Sequence, residues 1–297
     1  MHIAVYLPLL LPLLGVPAVR RVAERSHPRT ATWVLTGTAV VASAASTVSL
    51  GLLAFAGATR LSAVPAPVSV LAVVTLGVLV LALSRTGLAH LTALRDAYAQ
   101  ADRHTAAELV VTQDDDCIAY ALPGRPGRIV ISRGMLTALN AHERRALLAH
   151  ERTHLACRHH LFLTAAHLAA VLNPLLRPLR SAVAYSVERW ADEAAACEVA
   201  DRRVTAQAVG KAALATRRAP QPQLVALHAT AGPVPRRVAA LLAAPPSTRL
   251  STVGVVGAVA TAVLACSSLS SLEAATDLHE SFEVTESAAH PGPHGIG

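Results

Sequence analysis

Residues 141–160 read AHERRALLAHERTHLACRHH and contain the pattern His150-Glu151-Arg152-Thr153-His154. No Gly or Pro interrupts the stretch, and Leu147, Leu148 and Leu155 supply apolar positions, so it reads as one helix of about five turns. Asn140 followed by Glu143 has the form of a capping box, which fixes where the helix starts. Positions i and i+4 share a helix face, so both imidazoles can point at one ion, and Glu151 can reach a water on that ion. The pattern therefore points to a zinc-dependent hydrolase that cuts peptide bonds. With 14 histidines in 297 residues chance must be weighed. Random placement yields on the order of a few hundredths of one such match, so a surface helix with solvated histidines is the weaker reading.

Outward from this helix the composition changes character. Hydrophobic residues make up 53% of the chain and charged residues 15%, which favours a membrane protein over a soluble enzyme. Four stretches are apolar and carry no Asp, Glu, Lys or Arg: 2–19, 31–58, 67–83 and 250–272. The first lacks a basic leader and reads as a retained helix, with Pro8, Pro12 and Pro17 tolerated as kinks. Between the spans, Arg20, Arg21, Arg25 and Arg29 crowd the first loop, the second holds only Arg60, and 21 of the 26 basic residues fall between Arg85 and Arg249. The positive-inside rule then puts the first loop and the long 85–249 region in the cytoplasm, in a multi-pass protein of the plasma membrane. The acidic tail 273–297 falls outside and is expected to be disordered. The expected organisation is three transmembrane helices in 1–84, a cytoplasmic catalytic domain in 85–249 and a C-terminal transmembrane helix in 250–272.

Within the cytoplasmic region Leu88, Leu91, Leu94 and Tyr98 recur at helical spacing and predict a helix over 88–107. Strands are expected at 108–112, 117–122 and 128–132, with Asp114-Asp115-Asp116 as a solvated turn and Pro123–Gly127 as a hairpin connection. They form a small antiparallel sheet whose edge can hold an extended substrate by strand addition. The apolar run 161–172 is short for a span. It reads as a buried helix, a re-entrant segment or a poor span, and is kept on the cytoplasmic side because no second crossing is visible to bring Glu188 back to His150. Helices follow at 181–199, 204–215 and 236–243, with a Pro- and Ala-rich loop at 219–235. The fold class is thus mainly α and membrane-bound, with about four spans and a zincin-like α+β domain.

Catalytic zinc usually takes three protein ligands and keeps a position for water. The best third ligand is Glu188, with Asp192 four residues on and on the same helix face. Asp192 can accept a hydrogen bond from the distal nitrogen of a ligating histidine. Glu193, His159 and His160 are the alternatives. Cys157, three residues after His154, reads better as a small buried apolar residue than as a ligand. The four cysteines form no Cys-x-x-Cys pair and no disulfide framework.

The order of these features, with an apolar stretch and Asn173-Pro174 between the two motifs, resembles the BlaR/MecR-type integral-membrane metallopeptidases. It is more distantly similar to the HtpX and CAAX-prenyl-protease group. Pro123–Gly127 ahead of a strand belongs to the same likeness, which covers residues 108–200 in detail and the spans only in general layout. The resemblance implies zinc on His150, His154 and Glu188, with Glu151 as the catalytic residue. No Ser-x-x-Lys motif follows the last span, so a β-lactam sensor is not implied. What remains implied is a regulatory protease acting on a repressor or a membrane protein, or a quality-control protease.

The expected partners are a protein or peptide substrate and the lipid bilayer, with a homodimer left open. Nucleic acid is not expected, because the arginines are scattered and aromatic residues are only 3%. The competing functional class is a zinc-binding membrane signalling protein that does not cut.

Overall fold

The computed structural model describes residues 6–58, 65–103, 108–216 and 234–246. Three helices lead: α1 (Leu7–Glu24), α2 (Pro28–Ala58) and α3 (Ala66–Arg103). Pro12 lies inside α1 and has no N–H to offer the carbonyl four residues back. That carbonyl, Pro8 O, takes the Ser46 hydroxyl of α2 at 2.9 Å instead, so the break in the ladder becomes a tie between helices. Two helical segments are long and apolar enough to cross a membrane, Pro28–Ala56 and Ala66–Gln100. They correspond to the second and third expected spans. The first, α1, ends in Arg20, Arg21 and Glu24 and does not pass the same test among the described residues. The expected helix over 88–107 is no separate element, since α3 runs unbroken through it as far as Arg103. The fourth expected span, the acidic tail and most of the loop at 219–235 lie outside the described residues.

A three-stranded sheet follows: β1 (Leu109–Thr112), β2 (Ala119–Leu122) and β3 (Arg128–Ser132), in the order β1-β3-β2. The expected antiparallel sheet is in fact mixed. β2 pairs antiparallel with β3 through the predicted hairpin, while β1 pairs parallel with β3. The reason lies in the aspartate turn, which wraps around the end of β3 instead of closing a β1–β2 hairpin. Gly134 N donates to Asp114 O at 3.0 Å, and Ser132 Oγ is bonded to Asp116 O and to Ile118 N. A Cβ on Gly134 would stand 2.0 Å from Asp115 O, so only glycine lets the chain cross there. β3 is the central strand, with all five of its residues buried, so β1 and β2 are the edges of the sheet.

Five helices follow the sheet directly: α4 (Arg133–Ala138), α5 (Ala141–Ala156), α6 (His159–Leu172), α7 (Arg177–Val199) and α8 (Arg202–Thr216). Further along the chain is α9 (Val234–Leu242). The capping box forms as read: Asn140 Oδ1 accepts from Glu143 N and Glu143 Oε2 from Asn140 N, both at 2.9 Å. The helix expected to reach 160 stops at Ala156. Arg158 adopts a left-handed backbone (φ 51°), and α6 leaves at 62° to α5. Asn173, between α6 and the 3-10 turn Pro174–Leu176, caps that turn and donates to Ser46 Oγ at 2.9 Å. One core joins Val16 and Val19 of α1, Leu35 and Ala39 of α2, Phe162 and Ala166 of α6, and Leu179, Val183 and Val187 of α7. The apolar N-terminal helices are thus the support on which the helices of the site are packed.

Candidate metal centre

α5 and α7 pack against each other, and the two sequence motifs meet there. His150 Nε2 and His154 Nε2 are 3.0 Å apart. Glu188 Oε2 is 3.5 Å from His150 Nε2, and Glu188 Oε1 is 3.7 Å from His154 Nε2. Among the described residues, His150, His154 and Glu188 are the group whose donor atoms, all within 4.8 Å of one another, could hold a metal ion. The donor set fits zinc on two counts. Zn–N and Zn–O bonds of about 2.0–2.1 Å in a tetrahedron place ligand atoms roughly 3.4 Å apart, the range seen here. Two imidazole nitrogens that face each other this closely repel unless a cation or proton lies between them.

Around these three atoms stands a second set of contacts. His150 Nδ1 lies 3.1 Å from Asp192 Oδ1, within ion-pair distance. His154 Nδ1 faces His159 Nδ1 at 3.0 Å, and His159 packs against the Trp190 ring, 4.7 Å between centroids. This contact exists because α5 ends early: the left-handed turn at Arg158 folds His159 back toward His154, where a continuous helix would have carried it round. His159, an alternative ligand in the sequence reading, therefore stands behind His154. Glu193, another alternative, is engaged by Arg189 at 2.9 Å and by Arg202. His160 lines the adjoining cavity, and Cys157 caps α5 outside the donor group.

A further member of the site has no counterpart in the sequence analysis. Arg237 of α9 is 7% exposed and grips both carboxylates. Its Nη1 is 2.8 Å from Glu188 Oε2. Its Nε and Nη2 donate to Asp192 Oδ2 and Oδ1 at 2.8 and 2.6 Å, a two-pronged arrangement that suits guanidinium. Two signals pointed to it. Arg237 shares a face with Leu241, the buried apolar residue four positions on, so an arginine sits on the inner side of a short amphipathic helix. Two buried carboxylates one turn apart also call for a cation.

The charge states follow from this network. Burial favours the neutral form of Glu188, but Arg237 and then the histidines outweigh it and hold the carboxylate well below its usual range. Asp192 is likewise buried and is held ionised by Arg237 and His150. Burial works against charge on His150, yet Asp192 and Glu188 overcome it and carry its pKa up to about 10. His154 goes the other way, to about 4, because burial dominates and Glu188 only partly offsets it. Burial raises the pKa of Glu151, with Glu188 acting in the same sense and His150 and Arg237 against it.

The cavity beside these groups has a volume of about 450 Å³. It is bounded by Ala119–Ala121 of β2, by His150, Glu151 and His154 of α5, by Ala208 and Ala212 of α8, and by Arg237. Ser132 N donates to Ile118 O, so strand alternation turns the backbone groups of Ala119 and Ala121 to the open edge. Glu151 is bonded to the Ala121 backbone, which ties the carboxylate to that edge.

Residues 83–172 match the family model of peptidase family M48. The matched segment runs from the second half of α3 through the sheet and the His-Glu-x-x-His helix to the end of α6, and stops short of Glu188. The match supports a metallopeptidase, in a family that is typically zinc-dependent. No curated protein and no solved structure matches the chain.

Proposed function

We propose that the chain is a membrane-embedded zinc endopeptidase whose metal ligands are His150, His154 and Glu188. One observation carries this reading: the two imidazoles and the distant carboxylate converge within 4.8 Å, with Glu151 beside them on the wall of an open cavity. Bound there, zinc would lower the pKa of a water and polarise the scissile carbonyl. Glu151 takes the proton of the attacking water and later delivers it to the leaving amine, a role suited to a carboxylate with a raised pKa. Asp192 holds the His150 ring by its distal nitrogen, and His159 does the same for His154, so each ligating nitrogen keeps its direction. Arg237 keeps Glu188 ionised and aimed while neutralising the buried acid pair. An extended peptide lies along the edge of β2, its backbone on Ala119, beside the Ala121 amide that Glu151 already holds.

The membrane setting rests on α2 and α3, and the orientation on the arginines of the first loop. Those arginines stand at the same end of the molecule as the catalytic helices. Arg236 of α9 is 3.5 Å from Glu24 of α1, and the Arg29 guanidinium lies 5.6 Å from the centre of the Trp190 ring. A single positive-inside assignment then supports a cytoplasmic side for both. Within this reading the substrate is a cytoplasmic repressor or a segment of a membrane protein, as in the BlaR/MecR and HtpX types.

The test is cleavage of cellular proteins in cells carrying the native chain against cells carrying Glu151→Gln. Substrates should accumulate uncut with the variant. Identical cleavage in both would transfer the reading to a zinc-binding signalling protein that does not cut.

A further inference from the structure

A second cavity, of about 280 Å³, lies where α1 turns into α2 and where α7 and α9 close over that turn. Three arginines line it, Arg20, Arg189 and Arg236, with the hydroxyls of Tyr185 and Ser186. A single acid, Glu24, lines it too and is taken up by Arg236 at 3.5 Å. Arg189 spends one terminal nitrogen on Glu193, and Arg236 lies over the Tyr185 ring at 4.7 Å. Positive charge is left over. The Arg20 side chain makes no ion pair or hydrogen bond among the described residues, so its guanidinium at the cavity wall is uncompensated.

We propose that this cavity binds a phosphoryl group, with Arg20 and Arg189 as its principal donors. Guanidinium pairs with the oxygens of a phosphate through parallel N–H bonds, and an oxyanion supplies the counter-charge that Arg20 lacks. The position suits the headgroup of an anionic phospholipid. The cavity opens where the uncharged part of α1 gives way to Arg20 and where α2 begins, which is the depth of the cytoplasmic headgroups if the membrane reading above holds. A soluble phosphate offers the same chemistry without that condition. The cavity shares α7 and α9 with the metal centre, since Tyr185 and Arg189 flank Glu188 and Arg236 adjoins Arg237.

The full-length chain in phosphatidylcholine nanodiscs, with and without phosphatidic acid, tests the site by native mass spectrometry of retained lipid. Inorganic phosphate titrated into the phosphatidylcholine discs is the second arm. Phosphatidic acid should be retained at least about tenfold over phosphatidylcholine, about 1.4 kcal/mol of selectivity. Arg20→Gln combined with Arg189→Gln should abolish the preference. Should that pair fail to fold, Ala182→Leu fills the same cavity from α7 with both arginines kept, and it too should abolish the preference. Binding of inorganic phosphate alone, lost in the same variants, identifies a soluble occupant and keeps the site. Retention of phosphatidic acid that survives in the variants, or no preference and no phosphate binding in the native chain, overturns the proposal. Because metal content plays no part in the readout, failure here leaves the peptidase reading standing, and failure of cleavage leaves this site standing.

Discussion

α3 and α7 are both long helices, and they are built inside out relative to each other. α3 turns Val70, Leu71, Val74, Val78 and Leu81 outward, each more than half exposed, and only 11% of its most apolar window is buried. α7 turns Asp192 and Glu193 inward, at 0% and 6% exposure. Neither pattern is stable by itself in water. The first fits an apolar surrounding, the second calls for a set of cations, and the rest of the molecule supplies what α7 needs through Arg237, Arg202, Arg189 and the two histidines. Small and apolar residues on the inner sides of α1, α2 and α6 pack with α7 in one core, to which α3 contributes no buried residue among those described. The difference teaches that burial is informative when it is of the wrong kind: exposed valines mark a surrounding, and buried charges mark a site.

The largest effect expected is on chemistry. Glu151→Gln should lower turnover by about 10²–10⁴-fold, the usual worth of a positioned acid–base group, while zinc content stays unchanged. Measured turnover within a few-fold of native would remove Glu151 from the mechanism. On the charged side of the comparison, Arg237→Ala leaves Glu188 and Asp192 buried without their cation and should cost about 3–5 kcal/mol of stability. Denaturation that shows no shift would mean the acids are neutralised otherwise. On the apolar side, Val78→Asp should cost about 2.5–3.5 kcal/mol if α3 crosses a bilayer. At an exposed position in water the change should stay within about 0.5 kcal/mol, so membrane insertion of the variant decides between the two surroundings. Smallest, Asp192→Asn should weaken zinc binding by about 10–100-fold, as loss of an orienting acceptor does. Metal competition with a chelator measures it, and native affinity would leave Asp192 with Arg237 alone.

What the sequence made legible was what depends on neighbours in the chain. The start of α5 is local, since Asn140 and Glu143 cap each other across three residues. The pairing of His150 with His154 is a matter of one helical turn, and Glu188 with Asp192 another. The convergence of the two motifs is not local, yet the chemistry of a three-ligand ion asked for it. Three features escaped. The end of α5 depends on a left-handed Arg158, a residue with no preference for that conformation. The order of the sheet depends on Gly134 meeting Asp115 at a distance no side chain permits. Arg237 reaches Glu188 from 49 positions along the chain, and nothing in its own segment beyond its inward-facing helix position announces the partner.

The central claim is that His150, His154 and Glu188 together bind zinc. It is tested most directly by the metal content of the purified native chain beside His154→Ala and Glu188→Ala, by elemental mass spectrometry with folding checked in parallel. The account predicts stoichiometric zinc in the native protein and its loss in both folded variants. Absence of zinc from a correctly folded native protein supplied with the metal, or zinc retained in full by either variant, contradicts it.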